Sequence, residues 1–118
     1  MTAAAVQLLK AAKVVATKDE AVLMNRWQVT SAALARQAIE FAVSDWLAVR
    51  DIHVDRNHKV EFLCLESLHS DPALAAELHH VWCRLSEACH AMSYDMPPTQ
   101  NQLERWHAVI DRFLKKDD

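Results

Sequence analysis

The densest run of chemistry-bearing side chains is His79-His80-Val81-Trp82-Cys83-Arg84-Leu85-Ser86-Glu87-Ala88-Cys89-His90. On a helix, 100° per residue places His79, Cys83, Ser86 and His90 within about 60° of one another. They border an apolar stripe centred on Leu78, Leu85 and Cys89, while Arg84 and Glu77 project from the opposite, more polar side. His79 and Cys83, four apart, have a spacing that zinc accepts. A complete site needs ligands from another helix, such as His53 or His107. Glu77–His80, Glu87–His90 and Glu104–His107 share the Glu-x-x-His spacing of carboxylate-bridged metal bundles, but the first two pairs lie on one helix. Seven histidines in 118 residues make chance pairs common. Solvated imidazoles, or imidazoles hydrogen-bonded at the core margin, are the simpler account. No metal and no cofactor is therefore assigned, and a metal-binding bundle is only a third reading.

Arg84 and His90, with five residues between them, resemble the Arg-x4-6-His motif of the HEPN superfamily of small helical bundles. The pair falls late in a long helix preceded by an apolar helix carrying Leu34-Ala-Arg36-Gln-Ala-Ile-Glu40. The run Trp82-Cys-Arg-Leu-Ser-Glu-Ala-Cys-His90 followed by Tyr94-Asp-Met-Pro-Pro-Thr99 is similar to a bacterial HEPN branch. The resemblance spans roughly residues 21–113. It departs from that pattern at Leu85, where a polar residue commonly follows the arginine, and at Tyr94, which stands four rather than two residues after the histidine.

What this likeness implies is RNA-directed function: metal-independent endoribonuclease or RNA-binding relative, in a toxin or stress-response setting, with an antitoxin or other protein as a further partner. Arg84 would hold the phosphate through its planar fork, and His90 would take the 2′-hydroxyl proton. Glu40 or Glu87 would orient the histidine or oppose the arginine. HEPN sites are usually shared by two subunits, which implies a homodimer. An ideal helix turns Arg84 and His90 about 120° apart, so they meet only through a distorted turn or across such an interface. The alternative from another class is a non-catalytic helical interaction module, in which Arg84 is a solvated surface residue and His90 a cap or core residue.

The elements that must position these residues read as helices. The chain has no glycine, which removes phosphate-cradling loops, dinucleotide fingerprints and nucleophile elbows, and disfavours turn-rich β folds. Apolar spacing predicts helices over residues 2–16 (Val6, Leu9, Val14), 30–50 (Leu34 through Trp46 and Val49) and 58–70. A short apolar run, Ala21–Met24, starts a further helix or extends the first. Asp71-Pro72 opens a long helix that runs through Met92, and Pro97-Pro98 ends it. Thr99 and Gln102 form a capping-box pattern opening a last helix through Trp106 and Phe113 to Lys115-Lys116. The fold class is an all-α, up-and-down bundle of four to five helices in one domain, 1–118.

Net charge is −3, so any attraction for nucleic acid must come from a local cluster. Lys10 and Lys13 make a basic patch with Lys115 and Lys116 if the chain ends meet. Arg36 and Glu40 read as an exposed surface ion pair. The three cysteines lack framework spacing and read as reduced thiols. With no basic leader and no span-length apolar run, the chain reads as cytoplasmic, without a membrane. The four tryptophans read as core or interface anchors.

Overall fold

A computed structural model describes residues 3–16, 27–54, 57–90 and 97–116. Within them lie five α-helices and no strand: α1 (Ala3–Ala16), α2 (Trp27–Val49), α3 (His58–Leu68), α4 (Pro72–Cys89) and α5 (Gln100–Lys115). The Ala21–Met24 run, Met92 and Tyr94 lie outside the described residues.

α2 is the hub and packs against each of the other four helices. Both α2 and α1, which pack together, bury many alanines. Ala5, Ala12 and Ala16 on α1 and Ala32, Ala35, Ala38 and Ala42 on α2 are all buried. Small side chains let the two backbones approach closely, and the Ser31 hydroxyl donates to the Ala12 carbonyl at 2.8 Å across that seam. Val14 and Val49, expected in the stripes, are instead 53% and 73% exposed. α2 begins a turn earlier than Thr30 because Trp27 is buried as part of the core.

Helix ends follow the polar residues that can satisfy free backbone groups. Asn57 caps α3 by accepting from Val60 N–H, Asp71 caps α4 from Leu74 N–H, and Thr99 with Gln102 completes a capping box on α5. The end of α2 is unusual. Asp51 N–H donates to Ala48 O and Ile52 N–H to Leu47 O, both at 2.9 Å. That is the paired bonding of a Schellman motif, whose turning residue sits in the left-handed region. With no glycine in the chain, Asp51 takes that position at φ 61°.

Candidate functional site

Two ion pairs fix how α4 and α5 lie against each other. Asp71 meets Lys116 at 3.0 Å and Glu77 meets Arg112 at 2.7 Å, so the helices run antiparallel. Seven residues make about two turns of helix, returning to nearly the same face. Arg84 therefore repeats the position of Glu77 on α4, and Arg105 repeats that of Arg112 on α5. Where the first heptad sets opposite charges across the groove, the second sets two guanidiniums. Arg84 has one carboxylate, Glu87 on its own helix at 3.0 Å. Arg105 has no ion pair or hydrogen bond among the described residues. The open groove between the helices measures about 1110 Å³, with His80 on one wall and half-buried Trp106 on the other. The exposed His80 ring also has no partner among the described residues.

The four residues singled out by the sequence do not share this groove. Arg84 lines it, with Glu87 bound to it as its opposing carboxylate. His90 does not. It is the C-cap of α4, exposed, with its backbone N–H turned back to the carbonyls of Ser86 and Glu87. Because α4 stays helical through Cys89, the angular separation from Arg84 is not closed by any distortion, and a single chain does not bring the pair together. Glu40 lies on the opposite side of α4. It accepts from the indole N–H of Trp82, two residues before Arg84 and hence facing the other way.

Glu40 belongs instead to a polar chain joining α2, α3 and α4. One of its oxygens accepts from Arg36 Nε at 3.1 Å and Trp82 Nε1 at 3.0 Å, and lies 3.7 Å from His58 Nε2. His58 Nδ1 is 3.1 Å from Glu61, whose other oxygen accepts from the Ser44 hydroxyl at 2.8 Å. Arg36–Glu40 is thus not an isolated surface pair but half-buried in a network, and Glu61 is almost fully buried within it. Ser44, His58 and Glu61 form one wall of a cleft of about 650 Å³ that also includes His53. Every charge of the network has a partner inside it, which makes it a clasp between helices.

The described residues offer no ligand set for the metal reading. His79 stacks on Phe62, centroids 4.5 Å apart, and faces Glu66 rather than joining Cys83 around an ion. Among the described residues no three His, Cys, Asp or Glu side chains are grouped to hold a metal. Two of the four lysines of the expected terminal basic patch are neutralised. α1 and α5 do meet, but Lys13 pairs with Asp111 and Lys116 with Asp71.

Among the described residues three groups are electrostatically displaced. His107 is buried with Nε2 unbonded, and its pKa falls from 6.5 to about 4, through desolvation first and the Lys13 charge second, against a small opposing pull from Asp111. Burial pushes the Cys89 thiol up, Glu40 adds to that, and Arg36 opposes it. Asp71 is held low, by its bond to Lys116 and then by the Leu74 N–H it caps.

The sequence reading missed His80, Arg105, Trp106 and Arg112 as one surface. The signal was present as the seven-residue spacings 77–84 and 105–112, but it has meaning only once the two helices are known to be neighbours.

Among the described residues these features define a five-helix all-α bundle with an arginine-lined groove between α4 and α5. The chain matches no family model, no curated protein and no solved structure. No described helix is long and apolar enough to cross a membrane.

Proposed function

We propose that the protein is an RNA-binding helical bundle related to the HEPN superfamily, with the α4–α5 groove as the RNA site. One observation carries the reading: Arg84 and Arg105 stand across from each other at the heptad position equivalent to a salt bridge. Like charges so placed repel, and a phosphodiester between them relieves the repulsion. Guanidinium forks suit phosphate oxygens, and Arg84 keeps donors free beyond its bond to Glu87. Trp106 supplies a face on which an unpaired base can stack. The overall charge of −3 gives no general pull on nucleic acid, so affinity rests on this local pair.

Fluorescence anisotropy with a labelled single-stranded RNA at several salt concentrations tests it. Arg105→Glu should weaken binding at least tenfold. It should also flatten the dependence of log K on log salt by about 0.7 for each phosphate no longer neutralised. Wild-type affinity in Arg105→Glu would overturn the assignment.

A second reading, a protein-interaction module or homodimer, has its own observation. Val60 and Leu63, three residues apart on α3 and so side by side on one face, are 36% and 61% exposed. Sedimentation of the wild-type chain and of Leu63→Glu separates a self-associating surface from a solvated one.

A further inference from the structure

We infer that the cavity between α1 and α5 binds a small neutral hydroxylated molecule, a phenol or an alcohol of about one ring, whose hydroxyl meets the buried imidazole of His107. The inference is independent of the RNA reading above. The cavity measures about 280 Å³ and is lined by Lys13 and Ala16 of α1 and by Glu104, His107, Ala108 and Asp111 of α5. An enclosed space of about 150 Å³ already takes benzene, so a ring with one substituent fits. His107 is 3% exposed, and its Nε2 has no hydrogen-bond partner among the described residues. Buried polar atoms are rarely left so. Apolar walls with a few placed polar groups to fix orientation are the usual make-up of a small-molecule pocket.

The charges around the cavity select the ligand class. Lys13 and Asp111 neutralise each other, both side chains partly exposed. Glu104 is exposed and has no ion pair among the described residues. A carboxylate or phosphate entering there is repelled by Glu104 and Asp111. A cation meets the desolvation and the Lys13 charge that hold the His107 pKa down to about 4 despite Asp111. Surroundings that refuse a proton on the imidazole also disfavour an ammonium. A neutral imidazole carries a proton on one nitrogen and a lone pair on the other. A hydroxyl both donates and accepts, so it satisfies Nε2 in either tautomer while the body of the ligand packs on Ala16 and Ala108.

The test uses the full chain at pH 7.5, with phenol as the probe and benzene, benzoate and benzylammonium as controls. Nitrogen–proton correlation spectra of the histidine side chains follow each titration. Phenol should bind saturably with a Kd of about 1 mM or tighter. It should move the His107 Nε2 resonance and leave those of the exposed His53 and His80 in place. The three controls should each bind about tenfold more weakly. His107→Leu should lose about tenfold for phenol and close its gap to benzene, with the helical circular dichroism of wild type. Ala108→Trp, at an exposed position, should block the cavity with His107 still in place. Absence of saturable phenol binding overturns the proposal, as does phenol affinity left unchanged in His107→Leu or in Ala108→Trp. Tighter binding of benzoate or benzylammonium than of phenol also overturns it, because the site would then select charge.

Discussion

Burial of His107 should make the protein acid-labile in a pH range where most of its carboxylates are still charged. The imidazole is 3% exposed, packed between α1 and α5, with Nε2 unbonded. Its folded pKa of about 4 lies below the 6.5 of the free side chain. Above pH 6.5 the ring is neutral in both states, and this group leaves stability unchanged. Below 6.5 the unfolded chain takes up a proton that the folded one refuses, so stability falls with pH until the native ring titrates near 4. At about 1.4 kcal/mol for each pH unit between the two values, the full loss is about 3 kcal/mol. Against a total of roughly 5–15 kcal/mol for such a domain, that is a large share. Urea unfolding followed by the fluorescence of the four tryptophans, at intervals from pH 7.5 to 4, measures it. Carboxylates titrate toward the lower end of that range, so the quantity to read is the difference between wild type and His107→Leu. The variant should match or exceed wild type at pH 7, because it removes an unbonded polar atom, and its advantage should widen by about 3 kcal/mol as pH falls. Parallel stability curves for the two proteins would refute the reasoning.

Two further outcomes follow from local geometry. Asp51→Gly should stabilise the chain by about 0.5–1 kcal/mol, read as a higher urea midpoint, because glycine adopts the left-handed φ without a Cβ clash. A lower midpoint would mean that the aspartate side chain contributes more than its backbone strain costs. Cys89 should be alkylated slowly by iodoacetamide at pH 8 and speed up as pH rises above 9, since its displaced pKa keeps the thiol protonated. Rapid labelling of Cys89 at pH 8, followed by peptide mass spectrometry, would contradict that environment.

Much of the architecture was legible along the chain. Absence of glycine, apolar residues at three- and four-residue spacing, and the polar starts at Asp71-Pro72 and Thr99-Gln102 are local properties. Helix formation and capping depend on neighbours within about four residues, so α3, α4 and α5 appear close to where the spacing set them. Which residues line the core was harder to read. Val14 and Val49 look like core residues by hydropathy yet are exposed, while Ala5, Ala12, Ala32 and Ala35 are fully buried, because a position's angle toward neighbouring helices, not its own apolarity, decides what is covered. His107 reads as a polar residue and is nevertheless buried.

The candidate site divides the same way. Arg84 and its Glu87 partner are three residues apart on one helix, and the sequence alone could link them. Arg36 and Glu40 were likewise readable as a pair. That Glu40 also holds Trp82, and through His58 reaches Glu61 and Ser44, depends on three helices meeting. A periodic sequence determines which face of each helix is polar and where each helix starts. The antiparallel seating of α4 on α5 decides that Arg84 confronts Arg105 and that His80, not His90, shares their groove, because distance across a bundle is set by packing between elements far apart in the chain.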